Sequence, residues 1–317
     1  MVAKYPAEFL LEFRAVDRFL FRVSDLRDLR EPQHSQLFKR LDNCHIYLLG
    51  KRPRVWVVPE SIHATDETVQ FTIEYKLAGL IRRRNVELLR SVFSPEEAFF
   101  EASPYPHRDL ISRDTNGRIV TQTWLSNFIH LMPHVEEGAR DLQIVYVGQG
   151  LRKSAIDRLQ NHKTLQHILG EINSHEPDAE AFVMIYDFEY RKQALTFYNV
   201  PVEISGNAAK RRRKRALAYR PTVKEQVALV EASIISYFQT RQFNTHYLTF
   251  PDQKYQILKK IYEADFAAIV VQLDNTNIGN QRTYSECVIP RSTHYIVVDF
   301  RRLEGKYSVL ESFAERR

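Results

Sequence analysis

The most tightly specified element of this sequence is a helix that begins at Val223. Pro221 and Thr222 precede it, and Thr222 with Glu225 forms a capping box, in which each side chain satisfies a free backbone N–H group of the other residue. Four apolar residues lie about one turn away from Glu231 on the same helix face: Val227, Ala228, Ile234 and Ile235. The helix must therefore pack with a carboxylate among aliphatic side chains.

A carboxylate in such a place needs a compensating partner. Leaving it ionised and unpaired costs several kcal/mol, so an arginine, a shifted pKa or a bound cation must offset the loss of hydration. Magnesium accepts one or two protein carboxylates and completes its coordination with water and phosphate oxygens. Glu231 is therefore a candidate ligand for Mg²⁺ or Mn²⁺ in a site that a nucleic acid completes.

A second constrained segment is the apolar run LQIVYVG at residues 142–148, which predicts a buried strand. The glycines at its end predict a sharp turn that leaves the Tyr146 hydroxyl near the start of the next helix. On that helix Arg158 and His162 are four residues apart and share one face. A phenol, a guanidinium and an imidazole are thus predicted to converge.

The elements around these residues follow a definite order. Strands are predicted at 128–132, 142–148 and 181–189, and the glutamate helix comes after the third of them. Asn244 follows Glu231 by thirteen residues. Its side chain could bond the backbone of the turn in which it lies, or it could reach back to the site, and the sequence leaves both roles open.

This order of a YIG-like strand end, an Arg-x-x-x-His helix, a helical glutamate and a final asparagine resembles the GIY-YIG nucleases, over roughly residues 124–250. The resemblance implies an α+β fold in which helices flank a small antiparallel sheet, and it implies phosphodiester hydrolysis with one metal ion. It implies that Tyr146 is the tyrosine of the second motif, Arg158 the phosphate-contacting arginine, His162 the helical histidine, Glu231 the metal ligand and Asn244 the terminal asparagine.

The chain departs from the family pattern at the first motif. The family has a tyrosine on the strand that precedes the YIG-like strand, whereas residues 128–131 (FIHL) contain none. His130 is the candidate that replaces it, and it joins Tyr146, Arg158 and His162 as a predicted catalytic residue. The spacing from Tyr146 to Arg158 is also slightly longer than the family's.

A run of six basic residues falls between the third strand and the glutamate helix: Lys210, Arg211, Arg212, Arg213, Lys214 and Arg215. Because such a run is poorly suited to a core, it predicts an exposed, inserted loop near residues 205–220. Beside a phosphodiester-cleaving site it would bind the nucleic-acid backbone. A nuclear-import signal and a plain solvated loop are alternative interpretations.

The flanking regions predict additional structure without a chemical role. Residues 1–120 are expected to form a mixed α/β domain, with short helices before 43, a small sheet over 45–76, a helix near 77–90 and a connector from 94 to 121. Residues 121–254 form the predicted nuclease domain. Residues 255–317 are expected to add a helix and a β-hairpin.

Composition restricts the partners and the compartment. The net charge of +6 allows a polyanionic partner, the two distant cysteines give no disulfide framework or zinc site, and no apolar window approaches the ~18 residues of a membrane span. We therefore expect a cytoplasmic protein, or a nuclear one in a eukaryote, that acts on nucleic acid and not at a membrane.

The predicted activity is endonuclease cleavage, of DNA in preference to RNA. Two alternatives stay open: a nucleic-acid-binding protein on the same fold that has lost catalysis, and an adaptor whose terminal strands mediate assembly. The flanking regions could also carry a protein partner or a homodimer contact.

Overall fold

The computed structural model describes residues 3–30, 35–132, 134–150, 163–196, 201–252 and 254–303. Its strands are β1 (Ala7–Arg22), β2 (Ile46–Pro53), β3 (Val55–Val57), β4 (His63–Ala64), β5 (Thr68–Leu77), β6 (Leu80–Leu89), β7 (Phe99–Ala102), β8 (Asp109–Arg113), β9 (Ile119–Trp124), β10 (Leu142–Gln149), β11 (Ala179–Thr196), β12 (Ala268–Asp274), β13 (Thr283–Ser285), β14 (Val288–Arg291) and β15 (Thr293–Asp299).

The α-helices are α1 (Ser35–Leu41), α2 (Leu125–Phe128), α3 (Glu137–Arg140), α4 (Lys163–His175), α5 (Gly206–Ala218), α6 (Val223–Phe238), α7 (Lys259–Ala264) and α8 (Phe300–Leu303). Short 3₁₀ helices occur at Val23–Arg30, Pro59–Ser61, Arg90–Val92, Ile129–Leu131, Gln256–Leu258 and Thr276–Ile278. In the described ranges no helix combines the length and the apolar composition needed to span a membrane.

Eight strands form the main sheet, in the order β14-β13-β10-β2-β11-β1-β12-β15. The predicted small antiparallel sheet flanked by helices is therefore wrong. β10 and β11 are antiparallel to β2, which lies between them and comes from the predicted N-terminal sheet, and other strands extend the sheet on both sides. The physical reason is that the long strand β1 pairs with β11 along nearly its full length. The other edge of β1 then needs hydrogen-bonding partners, and β12 pairs with it.

The sheet curls until its two edges nearly meet. Residue 292 alone separates β14 at one edge from β15 at the other. His294 on β15 lies across the gap with its Nε2 2.9 Å from the Thr283 hydroxyl on β13, and its Nδ1 is 3.0 Å from the Tyr237 hydroxyl. Burial lowers the pKa of His294 to about 4, so the ring is neutral at pH 7.

Helix α6 lies against the concave face of this sheet. Its predicted start and its capping box are confirmed, since the Thr222 hydroxyl accepts a hydrogen bond from the Glu225 N–H at 3.3 Å. Ten of its sixteen residues are buried, and the helix packs on residues such as Phe13, Leu48 and Met184. The convex face packs instead on α4 and on the chain that follows β1.

Residues 54–141 form a separate lobe between β2 and β10. β3, β4, β5 and β6 make one small sheet, β7, β8 and β9 make another, and Val57, Phe71 and Leu110 belong to the core between them. The predicted boundaries at 120 and 254 do not separate sheets, because the main sheet takes strands from all three predicted segments. The order of segments along the chain does not indicate this shared sheet, because the lobe separates β2 from its neighbour β10 in sequence.

Several local predictions are wrong for related reasons. The segment 77–90 is not a helix: β5 and β6 form a hairpin whose turn, Ala78 and Gly79, has positive φ at both residues. The predicted connector at 94–121 contains β7 and β8, and the predicted strand at 128–132 is helical. Before residue 43 two short helical segments are present, at Val23–Arg30 and in α1, but residues 7–22 form β1. That strand carries apolar residues on both faces and so lacks the alternation that identifies a strand.

The basic run at 210–215 lies in helix α5 rather than in a loop. Arg212 is 1% exposed and donates hydrogen bonds to Glu8 and to the carbonyl oxygens of Ala7 and Asp265. The other five basic residues of the run are exposed. The expectation that none of the six could pack in a core is therefore wrong for Arg212, because a buried carboxylate and free carbonyl groups satisfy its guanidinium.

Candidate active site at the end of strand β10

Two tyrosines lie together on neighbouring strands. In the antiparallel pair of β10 and β2, Gly148 is opposite Tyr47 and Val147 is opposite Leu48. The rings of Tyr47 and Tyr146 have centroids 6.1 Å apart. Tyr47 is fully buried and Tyr146 is half-buried. A tyrosine therefore does occur on the strand paired with the YIG-like strand, although the order of residues along the chain does not indicate it.

Gly148 makes this arrangement sterically feasible. A Cβ atom at position 148 would lie 2.5 Å from the Tyr47 hydroxyl oxygen and 2.9 Å from a ring carbon of Tyr146. Both contacts are too close for any side chain, so the two phenol rings occupy the space above a glycine. The third residue of the YVG triplet is thus required by packing and not by the backbone angles.

A β-bulge sets the direction of the side chains at this point. The register of β10 against β2 shifts between Ile144 and Tyr146, so Val145 is the extra residue. Val145 and Tyr146 consequently both pack on the convex face, whereas Ile144 and Val147 belong to the concave core. The next concave-facing residue after Val147 is Gln149, which lies toward helix α6.

Gln149 joins the strand end to Glu231. Its amide nitrogen donates a 2.7 Å hydrogen bond to the Glu231 carboxylate, and that glutamate is 8% exposed. The Gln149 amide oxygen is also buried, and no residue of the described ranges hydrogen-bonds it. Burial raises the pKa of Tyr247, and so does the negative charge of Glu231 nearby. A carboxylate and an unsatisfied amide oxygen therefore lie side by side.

Such an oxygen pair matches the ligand preference of magnesium, which uses few protein groups and keeps several waters. Within the described part of the chain, no three His, Cys, Asp or Glu side chains are grouped as for a larger metal cluster. The residues present thus fit a site with a single carboxylate. The tyrosines and this pair approach the end of β10 from opposite faces of the sheet.

Asn244 fixes the strand end to the chain after α6. Its amide donates to the Val147 carbonyl oxygen at 2.8 Å, and its carbonyl oxygen accepts from the Val147 N–H at 3.0 Å. The Thr240 hydroxyl holds the same amide oxygen at 2.7 Å. Asn244 is 7% exposed, so its amide is committed to the backbone that carries Tyr146 and Gln149. This is a positioning contact with the backbone, and the role in nucleic-acid binding that we also expect for Asn244 stays a prediction.

His130, the predicted substitute for a first-motif tyrosine, does not join this site. Its surroundings include Arg52 instead: burial and the positive charge of Arg52 lower the pKa of His130 to about 4. Arg52 is five residues from Tyr47 on β2, roughly 17 Å along a strand. The role of first-motif tyrosine is thus available to Tyr47. The run IYLLG at 46–50 was the available signal, but the inserted lobe separates it from the YVG triplet.

Arg158 and His162, the other two predicted catalytic residues, lie outside the described residues. The segment that contains them connects Gly150 to α4. On the same edge, the His45 ring nitrogen Nδ1 donates to the Gly150 carbonyl oxygen at 3.0 Å. The strand end is therefore held on both sides, by His45 at Gly150 and by Asn244 at Val147.

The arrangement offers two phenols, one buried carboxylate and one free amide oxygen around a strand end that side chains hold in place. Comparison of the chain with known protein families, with curated proteins and with solved structures gives no match. The chemistry of the site thus has to be inferred from these residues themselves.

Proposed function

We propose that this protein is a metal-dependent endonuclease that hydrolyses phosphodiester bonds of nucleic acid, DNA in preference to RNA. The observation that carries the proposal is that the end of β10 has Tyr47 and Tyr146 on one face of the sheet and the Gln149–Glu231 pair on the other. The family resemblance supports it, because it implies a tyrosine on the neighbouring strand and a helical glutamate near the YIG-like triplet.

The carboxylate of Glu231 and the amide oxygen of Gln149 are the groups that would hold Mg²⁺ or Mn²⁺. When bound, the ion supplies positive charge to the phosphate and to the leaving oxygen. Glu231 contributes the negative charge that attracts a divalent cation, and Gln149 orients the carboxylate through its N–H group. Asn244 keeps Gln149 in register by holding Val147, two residues earlier.

The chain's own groups would then manage the proton and the phosphate charge. A phenol has an ordinary pKa near ~10, so a tyrosine acts as a base at neutral pH only beside positive charge. The half-buried Tyr146 is the better placed to accept a proton from water, and the buried Tyr47 orients it through ring contact. Arg158 remains the predicted group that offsets charge on the phosphate.

A second candidate function is nucleic-acid binding without cleavage. The exposed basic residues of α5 favour it, because they form a cationic helix face whose orientation Arg212 fixes through Glu8. The two functions differ in their dependence on the metal and on Tyr146, since binding by basic side chains needs neither.

The deciding experiment incubates the purified chain with single-stranded DNA, duplex DNA and RNA, in Mg²⁺, in Mn²⁺ and in EDTA. We expect cleavage in either metal, none in EDTA, and a loss of about 10²-fold or more in Tyr146→Phe. Tyr295→Phe, at an exposed tyrosine on β15, is the matched control and should cleave normally. Salt-sensitive binding without cleavage in any metal would support the binding function, and neither binding nor cleavage would favour an adaptor.

A further inference from the structure

A cavity of about 280 Å³ opens on the concave face beside the candidate site. Phe13 of β1 and Phe188 of β11 are neighbours on the sheet side of the cavity, where Phe13 is fully buried and Phe188 is half-buried. Val227 and Val230 of α6 line the helix side. His45 and Gln226 are among the polar residues that line it. Ligand cavities usually measure ~300–1,000 Å³, so this one suits a single flat ring system rather than a long chain.

The cavity adjoins the Gln149–Glu231 pair. Ile46, which lines it, is the residue of β2 that pairs with Gln149, and Val230 immediately precedes Glu231. A group bound there would therefore lie within one residue of the carboxylate along the helix and within one strand of the amide. This adjacency makes the cavity part of the same surface as the proposed reaction.

The polar lining provides acceptor atoms. The His45 Nδ1 donates its proton to the Gly150 carbonyl oxygen, so Nε2 is the acceptor of the neutral ring. The Gln226 amide nitrogen donates to the Pro221 carbonyl oxygen at 2.9 Å, so the Gln226 carbonyl oxygen can still accept. An aromatic side with acceptors at the edge suits a planar ring that carries an amino group.

We propose that this cavity binds one nucleobase with an exocyclic amino group, adenine, cytosine or guanine, taken out of the stack of the strand that is cut. The proposal rests on the nuclease function and deepens it by naming a base preference. Thymine and uracil lack the amino donor and are excluded from the preferred set. A base held between Phe188 on the sheet side and the valines of α6 is unstacked from its neighbours, so single-stranded or unpaired nucleotides are the favoured substrate.

The test measures binding by fluorescence anisotropy, in EDTA so that no strand is cut. The probes are a labelled short oligothymidine strand and the same strand with one central adenine, cytosine or guanine. We expect each amino-bearing base to tighten Kd by about tenfold relative to thymine alone. Free dAMP and dTMP serve as competitors: displacement by dAMP alone, at the same concentration as the strand, would show a free-nucleotide site instead of one for a strand.

Two variants locate the effect. Val227→Phe fills the cavity and Gln226→Ala removes an acceptor, and both should reduce the tenfold preference to near onefold. Val297→Phe, at an exposed valine of β15, is the matched control and should retain the preference. If Val227→Phe does not fold, Gln226→Ala decides alone.

Equal Kd values for all four strands, or an unchanged preference in Gln226→Ala, would overturn the proposal. Because no metal is present and no cleavage is measured, these outcomes are independent of those that test the nuclease function. Cleavage without base preference would support the nuclease function and overturn the nucleobase-binding cavity. Base preference without cleavage would support the cavity and contradict the nuclease function.

Discussion

Two buried glutamates in this molecule have very different surroundings. Glu8 on β1 is 3% exposed and accepts hydrogen bonds from Arg212 at 2.7 Å and from Arg301 at 2.8 and 2.9 Å. Glu231 on α6 is 8% exposed and accepts a hydrogen bond from the neutral amide of Gln149. Guanidinium groups cancel the charge of the first glutamate, whereas the Gln149 amide that hydrogen-bonds the second is neutral and orients its carboxylate.

The contrast separates a structural carboxylate from a candidate functional one. Around Glu8, cations from α5 and α8 join the start of β1 to distant parts of the chain. The surroundings of Glu231 include a glutamine whose amide oxygen has no hydrogen bond within the described residues, two tyrosines across the strand and a cavity. Burial alone therefore does not identify a site, and the chemistry of the partner does.

The largest expected effect is on stability at the Glu8 end. In Glu8→Gln, Arg212 and Arg301 lose their common counter-ion while they stay buried, so the free energy of unfolding should fall by about 3–5 kcal/mol. Urea unfolding followed by circular dichroism measures this loss. Glu12→Gln, four residues along the same strand and less buried, should change it by less than ~1 kcal/mol. Equal effects of the two substitutions would remove the structural role of Glu8.

The opposite pattern is expected for Glu231. In Glu231→Gln, cleavage should fall by about 10²-fold or more, because the charge that attracts the cation is lost, while the shape of the side chain is kept. The free energy of unfolding should fall by no more than ~1 kcal/mol, because the Gln149 amide can still donate its hydrogen bond to the oxygen of the new side chain. A cleavage rate of Glu231→Gln equal to that of the wild type would contradict the assignment of Glu231 as the metal ligand.

Asn244 tests whether the strand end itself matters. In Asn244→Ala the N–H and C=O groups of Val147 lose their partner, so the free energy of unfolding should fall by about 2–3 kcal/mol. Cleavage per folded molecule should also decrease, because Tyr146 and Gln149 are no longer held in register. Asn116→Ala, in an exposed turn of the inserted lobe, is the control and should change neither quantity.

The smallest expected effect is the loss of stability at low pH through Asp265. Burial raises the pKa of Asp265, but hydrogen bonds from Tyr5 and Lys4 and the charge of Arg301 lower it further, to about 2. Because the unfolded carboxyl, near 3.8, takes up its proton first, stability is present above pH 4 and is lost as the pH falls toward 2. The expected loss is about 2 kcal/mol. Asp265→Asn should flatten this part of a pH titration of stability.

The sequence predicts two local elements correctly. The capped helix at Val223 and the strand at 142–148 are local patterns, and the structure confirms both. The apolar neighbours of Glu231 indicate an unusual carboxylate without any knowledge of the sheet. These predictions succeed because the determining contacts lie within one turn or one strand.

Three of the failures are long-range. Tyr47 faces Gly148 only because a lobe of the chain intervenes and then returns, which no spacing rule detects. The burial of Arg212 depends on Glu8 and on the carbonyl oxygen of Asp265, both more than fifty residues away. Strand β1 is apolar on both faces because two different layers cover it, so its pattern reads as neither strand nor helix.

The place where the inserted lobe leaves and rejoins the sheet has a consequence for how such a chain can change. Lys51 and Gln143 are paired residues on adjacent strands, so the lobe begins and ends at points that are neighbours in space. Loop-closure entropy grows by only about 0.6 kcal/mol for each doubling of loop length, so a short turn or a foreign module would close the same gap at similar cost. Recombination can therefore replace this whole lobe with another segment and leave the pairing of β2 with β10, which carry Tyr47 and Tyr146, unchanged.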